Sequence, residues 1–273
     1  MTPKTSLKPG SNKAINERYF IRRLLSLIFF TLITSSVFSQ KTMEIGLFGG
    51  VSYYLGDLNP GMHLKNPKIG YGAVARFNID SRWAVKLNVF RGKVKGSSQS
   101  TTFLPERNLS FESPVTDISA TAEFNFLKYY TGSRRDFISP YIYTGISAFF
   151  YDPVANGYSL RSLGTEGQNI GYTDPNNGKE RKTYSSMAVC FPISAGIKYN
   201  LAHNVNLSFQ ITHRLTMTDY LDDVSTTFIG IDKFPPLNGQ PSTAGIMQDR
   251  SFETGTPIGT EGRQRGLSKQ KDQ

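Results

Sequence analysis

The chain has 273 residues, a formal net charge of +10 and a mean hydropathy of −0.33, which disfavours a helical membrane protein. Its single cysteine, Cys190, excludes a disulfide framework and a cysteine-rich metal site. Residues 1–39 carry six basic side chains and one acidic one, and without their +5 a net charge of +5 remains on the rest of the chain. That modest excess is a weak argument for nucleic-acid binding, and we expect none.

The first predicted element is an export signal. Arg22 and Arg23 precede an apolar run over 24–33, and residues 37–39 (Val-Phe-Ser) resemble a cleavage site with small side chains. We therefore predict a signal peptide over residues 1–39, cut between Ser39 and Gln40. An uncleaved anchor is the alternative, although the run is short for a membrane-spanning helix.

After Gln40 the hydrophobicity changes to period two, which indicates strands whose side chains point alternately to opposite faces. Each alternating segment has roughly the ten residues that cross a bilayer when a strand is tilted. A soluble β-sandwich would alternate in the same way. The alternating segments are 43–55, 70–80, 82–92, 115–128, 137–152, 186–199 and 204–217.

Two further patterns favour a membrane barrel over a sandwich. Aromatic residues gather at the segment ends, as in Tyr53-Tyr54 and Phe149-Phe150-Tyr151, which is typical of interfacial girdles. The connections alternate between long and short, as bacterial barrels alternate outer loops with periplasmic turns. The long connections are 56–69, 93–114 and 153–185, and the short ones are 80–81, 129–136 and 200–203.

The predicted fold class is therefore all-β, a small antiparallel transmembrane β-barrel of the eight-stranded type in the outer membrane. Only seven strands are recognisable, whereas a closed bacterial barrel needs an even number. We expect residues 40–218 to form the strands and loops of the barrel. We expect residues 219–273 to be the last extracellular loop, truncated before the closing strand. An eighth strand hidden by wrongly divided segments is the alternative.

The polar faces of these strands carry charges that would point into the lumen. Small barrels fill their interiors with side chains, and buried charges must be paired. We therefore predict a lumen salt-bridge network and no channel, with a proton or ion path as the alternative. The network residues are Glu44, Arg76, Lys86, Glu123, Lys198 and Arg214.

Several segments carry more specific patterns. Residues 46–60 (GLFGGVSYYLGDLNP), 72–78 (GAVARFN), 141–149 (YIYTGISAF) and 218–224 (TDYLDDV) resemble the PorG-like outer-membrane β-barrel family, which is associated with type IX protein secretion in Bacteroidota. The resemblance covers nearly the whole mature chain. Its most specific pieces are Tyr53, Tyr54, Leu55, Gly56, Asp57, Leu58 and Asn59, and Thr218, Asp219, Tyr220, Leu221, Asp222 and Asp223.

This resemblance implies a role and no reaction. It implies a non-enzymatic component of the type IX secretion machinery, which also powers gliding in some bacteria, linking the outer membrane to a periplasmic ring lipoprotein. The alternative is a general outer-membrane adhesin or envelope-stabilising barrel, since one fold serves many functions. In either case outer-membrane lipid and lipopolysaccharide are the expected surroundings.

No catalytic, cofactor-binding or metal-binding motif is visible, so we expect no enzyme and no cofactor. Two alternatives stay open. Asp219, Asp222 and Asp223 are oxygen-rich in the way that calcium prefers, although their spacing is not that of an EF-hand loop. His213 with Ser208 or Asp219 could be imagined as a lipid-modifying rim site, but spacing and side-chain direction do not assemble it.

Two basic clusters are candidates for contacts. Lys179, Arg181 and Lys182 with Arg161 make the third long connection basic, which predicts a solvated loop or a contact with lipopolysaccharide. Arg134-Arg135 would lie on the periplasmic side and could meet an acidic partner.

Overall fold

The computed structural model describes residues 43–61, 64–102, 104–267 and 271–273. The predicted signal peptide over 1–39 and its cleavage between Ser39 and Gln40 lie outside these residues. The strands of the described chain are β1 (Met43–Ser52), β2 (Lys68–Asn78), β3 (Trp83–Ser97), β4 (Ser110–Asn125), β5 (Ile138–Tyr151), β6 (Val154–Ala155), β7 (Tyr158–Ser159), β8 (Met187–Ala202) and β9 (Val205–Thr216). Two short helices, α1 (Leu160–Leu163) and α2 (Thr243–Gln248), lie in the connections.

The seven long strands pair as antiparallel neighbours in the order β1-β2-β3-β4-β5-β8-β9. The predicted all-β antiparallel barrel class is confirmed, and each long strand overlaps one of the seven alternating segments. The short strands β6 and β7 form a hairpin joined to β4 where Glu112 pairs with Val154.

The alternation in the sequence becomes an inner and an outer face. On β3, Trp83, Val85, Leu87 and Val89 are exposed, whereas Ala84 and Lys86 between them are buried. Outward side chains of the edge strands are almost fully exposed, with Leu47 on β1 89% exposed and Ile211 on β9 84% exposed. The apolar face therefore points away from the protein and the polar face points inward.

Side-chain contacts between distant strands show that the sheet is curled. Lys198 on β8 reaches Glu123 on β4 at 2.5 Å, and Asn206 on β9 donates to Glu44 on β1 at 2.9 Å. Among the described strands, β1 and β9 do not pair through their backbones, so the barrel is open between them. At one end of this opening Gln273 and Leu55 exchange backbone hydrogen bonds of 2.8 and 2.9 Å.

We call the end of the barrel with the short turns, residues 79–82, 126–137 and 203–204, the turn end. The opposite end is covered by the long connections, and we call their folded assembly the cap. The buried apolar cluster of the protein lies here, where Tyr54, Phe111, Leu160, Leu221 and Met247 pack together from five separate parts of the chain.

Two predicted boundaries are wrong at the cap end. β3 continues to Ser97 and β4 begins at Ser110, so the connection expected over 93–114 shrinks to 98–109. The reason is that Val94 and Phe111 continue the inward alternation and pack into the cap cluster.

Residues 219–267, expected as an extracellular loop, fold into the cap and bury Phe228 and Ile229 completely.

No helix in the described part of the chain is long and apolar enough to cross a membrane.

The outward apolar face generates a stability prediction. Leu87 lies in the middle of β3 and is 52% exposed, whereas Leu237 lies in the cap and is 66% exposed. If lipid surrounds the strands, Leu87→Arg should destabilise the barrel by about 2–4 kcal/mol in phospholipid vesicles. Leu237→Arg, the matched control, should change the unfolding free energy by less than about 0.5 kcal/mol. Equal small effects in urea unfolding would show that the outer face of β3 does not meet lipid.

Candidate functional site: lumen and cap

The lumen is organised around Glu123, an inward residue of β4 with no exposed surface. Its Oε1 lies 2.5 Å from Lys198 Nζ, and its Oε2 lies 3.1 Å from Lys86 Nζ and 3.3 Å from an Arg76 guanidinium nitrogen. The three cations come from β8, β3 and β2. A single carboxylate thus connects four strands across the interior of the barrel.

A second carboxylate extends this cluster toward the turn end. Glu44 lies 2.8 Å from Arg76 and accepts hydrogen bonds from Asn78 at 2.6 Å, Thr131 at 2.8 Å and Asn206 at 2.9 Å. These donors belong to β2, the β4–β5 turn and β9. Glu44 therefore bridges the two edge strands where their backbones do not pair.

Aromatic rings surround the lumen cations. Lys86 Nζ lies 3.6 Å from the ring centre of Tyr143, and Lys198 Nζ lies 4.5 Å from that of Tyr129. The cluster holds three cations and only two carboxylates, and the negative faces of the rings help to hold the remaining positive charge. Because Arg76, Lys86 and Lys198 are also buried, side chains fill the lumen at this level.

Of the six residues predicted for the lumen network, the structure brings five together and places Arg214 elsewhere. Arg214 lies 3.6 Å from Asp117 Oδ2 and 5.0 Å from the Phe90 ring. Asp117 also accepts a hydrogen bond from Ser147. Ser208 pairs with Lys198, and Arg214 lies six residues further along β9, about 20 Å nearer the cap. The pairing of Asp117 with Arg214 was not predicted, because periodicity does not reveal which inward residues of different strands lie at the same height along the barrel.

The two segments that carry the family resemblance most specifically, residues 53–59 and 218–223, contact each other in the cap. Tyr54 donates from its hydroxyl to Asp222 Oδ2 at 2.5 Å, and the same hydroxyl lies 2.9 Å from Asp272 Oδ1. Asn59 donates to the Tyr54 carbonyl at 2.7 Å, and Asp57 accepts from the Leu267 backbone at 2.9 Å. Residues 53–59 and 218–223 thus form one buried polar unit.

Two buried arginines and one glutamate hold this unit to the rest of the cap. Arg265 lies 3.0 Å from Glu166 and 3.5 Å from Asp223 Oδ2. Glu166 also accepts from the Ser225 and Thr226 backbones, each at 3.0 Å. Arg107 donates to the Asp57 carbonyl at 2.7 Å and to the Arg265 carbonyl.

Sequence reasoning did not assign a role to Arg107, Glu166 or the Arg265 side chain. Each is a single charged residue in a long connection without periodicity. Such residues become recognisable only when the fold buries them.

The three clustered aspartates point to three different sets of partners. Asp219 accepts from Ser225 Oγ at 2.6 Å, Asp222 contacts Tyr54, and Asp223 accepts from Tyr184 at 2.7 Å. Within the ranges described above, no group of three or more His, Cys, Asp or Glu side chains is placed to hold a metal ion.

Burial shifts the protonation of these carboxyl groups. It raises the pKa of Asp57 to about 6 and that of Asp223 to about 6, although neighbouring arginines act in the opposite direction. Burial also raises the pKa of Asp219 to about 7. Desolvation raises the pKa values of Asp222 and Asp272, and repulsion from nearby carboxylates, Asp272 for Asp222 and Asp219 for Asp272, acts in the same direction. The hydrogen bonds that both carboxyl groups accept from the Tyr54 hydroxyl act in the opposite direction.

Two of the basic residues in the third long connection make contacts within the protein, and the other two are exposed. Arg181 is buried and lies 3.0 Å from Asp174, and Arg161 donates to the Tyr184 carbonyl at 2.9 Å. Lys179 and Lys182 are exposed. The imagined rim site is not assembled, because His213 lies on the outward face of β9 and Ser208 on its inward face.

The turn end carries a surface groove of about 490 Å³ between the β4–β5 and β8–β9 turns. It is lined by residues 132–134, by Phe137 and by residues 199–203. A side chain at Gly132 would come within 2.9 Å of His203, and its φ of +84° also favours glycine. The two turns therefore pack closely and place Arg134 at the groove.

These features define an open antiparallel barrel with an apolar outer wall, a charged and filled lumen and a folded polar cap. The model of a family described as Domain of unknown function (DUF6089) matches residues 22–229. The chain belongs to this family.

Among solved structures, the chain is similar to Ail, the attachment invasion locus protein of Yersinia pestis, in complex with the heparin analogue sucrose octasulfate. The identity is 11% and the TM-score is 0.36, and the alignment covers 64% of this chain and 87% of Ail. Among curated proteins, no sequence matches this chain significantly.

The lumen cluster predicts a large effect for one substitution. Glu123→Gln removes the charge that pairs with Arg76, Lys86 and Lys198 and leaves these cations buried together. The expected loss is about 3–5 kcal/mol of unfolding free energy. Glu112→Gln is the matched control, because Glu112 also pairs with two lysines but lies on the exposed face, and it should cost no more than about 1 kcal/mol. Similar losses for both would contradict an organising role of Glu123.

Because the cap buries several carboxyl groups, we expect the free energy of unfolding of the protein to fall as pH rises. Between about pH 4 and pH 7 the folded cap binds more protons than the unfolded chain, because the pKa values of Asp57, Asp219 and Asp223 are raised. Urea unfolding should therefore show lower stability at pH 8 than at pH 5. Asp219→Asn should reduce this difference, while Asp232→Asn in an exposed cap segment should not. Stability that stays constant or rises over this interval would contradict the raised pKa values.

Proposed function

We propose that this protein is a non-enzymatic outer-membrane barrel that acts as a component of the type IX protein secretion machinery, linking the membrane to a periplasmic ring. The observation that carries the outer-membrane part is the outward apolar face of all seven long strands. A face of this kind is favourable only against lipid or another apolar surface. Outer-membrane lipid and lipopolysaccharide are the proposed surroundings.

The filled lumen supports a linking role over a transport role. Glu123 and its three cations occupy the interior at the turn end, and the cap cluster covers the other end. Opening a path would separate buried ion pairs, which is costly. The protein would therefore act through its surfaces.

The secretion role rests on the PorG-like resemblance, and two features support it. First, the pieces that carry the resemblance most specifically contact each other through Tyr54 and Asp222. Second, the turns of the turn end carry Arg82, Lys128, Arg134 and Arg135 against Asp80 and Asp136. This excess of positive charge suits an acidic surface on a periplasmic ring lipoprotein.

A general adhesin or envelope-stabilising barrel is the second candidate. The observation that favours it is the size and order of the cap, in which residues 219–267 fold over the barrel around buried arginines. In that case the cap, and not the turn end, would carry the contacts.

Gene deletion with complementation tests this proposal. Cells lacking the gene should retain type IX cargo in the periplasm, and wild-type protein should restore secretion. Arg134→Glu with Arg135→Glu should fail to restore it, because the double change reverses the charge at the turn-end groove. Lys179→Glu with Lys182→Glu, which makes the same charge change on the cap, should restore it. Normal secretion without the gene would exclude the secretion role and favour the second candidate.

A further inference from the structure

The outward face of β3 changes from apolar to basic along a single line of side chains. From the turn end it reads Trp83, Val85, Leu87 and Val89, all exposed and apolar. The next three outward positions toward the cap are all basic and exposed, namely Arg91, Lys93 and Lys95. Successive outward residues lie about 7 Å apart, so the basic part extends over about 14 Å. We call these three residues the basic strip.

Neighbouring strands add one more cation and only one acid. Glu112 on β4 lies 2.8 Å from Lys93 and 2.7 Å from Lys68 at the start of β2. Arg91 donates to the Thr116 hydroxyl at 3.3 Å, and neither Arg91 nor Lys95 makes an ion pair with any described residue. This part of the wall therefore has four cations and one carboxylate.

The rest of the outer wall does not repeat this pattern. The outward residues at the cap ends of β8 and β9 include Met187, Phe191 and Leu215, which are apolar and exposed. On β5 the corresponding position is Phe150, paired with Thr116. A solvated rim would spread its charges around the barrel, whereas here the positive charge is confined to one side.

We propose that the basic strip binds the phosphate groups of an anionic glycolipid in the outer leaflet, whose acyl chains lie along Val85, Leu87 and Val89. This inference rests on the proposed outer-membrane location. An amphiphile is favoured over a free anion because the apolar and basic parts are continuous on one face of one strand. The phosphates would meet unpaired charge on Arg91 and Lys95 and would compete with Glu112 for Lys93.

Native mass spectrometry of the full chain in detergent tests this inference, with bisphosphorylated lipid A as the probe. The basic-strip variant combines Arg91→Gln, Lys93→Gln and Lys95→Gln, and its affinity should fall by about 10- to 100-fold. The matched control combines Lys179→Gln, Lys182→Gln and Arg263→Gln, which removes the same charge from exposed cap residues and should leave the affinity unchanged. Dephosphorylated lipid A should bind weakly to wild-type protein, and inorganic phosphate should not displace the lipid.

Glu112→Gln provides a test that misfolding cannot imitate. It releases Lys68 and Lys93 from their shared carboxylate, so lipid A should bind about two- to fivefold more tightly. Unchanged or weaker binding would count against phosphate recognition at this wall.

Protease protection in vesicles separates this inference from the proposed function. If wild-type protein inserts but binds dephosphorylated lipid A equally well, or if the basic-strip variant binds like wild type, the lipid site is wrong and the outer-membrane location stands. If inorganic phosphate displaces the lipid, the site recognises a free anion and the glycolipid proposal is wrong. Failure of the wild-type chain to insert would overturn both.

Discussion

The interior of the barrel depends on one carboxylate. Glu123 is completely buried and pairs with cations from β2, β3 and β8, none of which could be buried favourably without it. Backbone pairing holds each strand only to its neighbours, and β1 and β9 do not pair with each other among the described strands. The curvature of the sheet therefore relies on side chains that reach across the lumen. Glu44 extends the same network to both edge strands through Arg76 and Asn206.

The chemistry of the interior changes from one end to the other. The turn end is held by ion pairs among Glu44, Arg76 and Glu123, and the middle by the pair of Arg214 with Asp117. The cap end combines an apolar cluster with carboxyl groups whose pKa values are raised by burial, as for Asp219. We therefore expect the stability of the cap to depend on pH between about 4 and 7, because the protonation of these carboxyls is coupled to folding.

The sequence predicts the strands well because alternation reports directly which residues share a face of a strand. It also predicts that charged residues line the interior, since they occupy the polar face. It does not predict which of them meet, because register, tilt and curvature decide the level of each side chain, as Arg214 illustrates. The cap could not be predicted, because Glu166 and Arg107 lie in connections without periodicity and acquire their roles only from contacts distant in sequence. The extensions of β3 and β4 were missed because the short inward residues Gly96 and Ser113 weaken the alternation there.

A filled lumen restricts where function can lie. Conduction through the barrel would require the separation of Glu123 from three buried cations, which is costly, so the interior is suited to rigidity. Contacts with the surroundings must then be made by the outer wall, the cap and the turn end. These surfaces differ in charge, because the turn end has an excess of arginine and lysine, and the basic part of the wall formed by the described strands lies around Arg91, Lys93 and Lys95. In the proposed outer-membrane setting, a barrel charged on one side would take a preferred orientation toward its neighbours in the membrane plane. This would suit the proposed role of linking the membrane to other components.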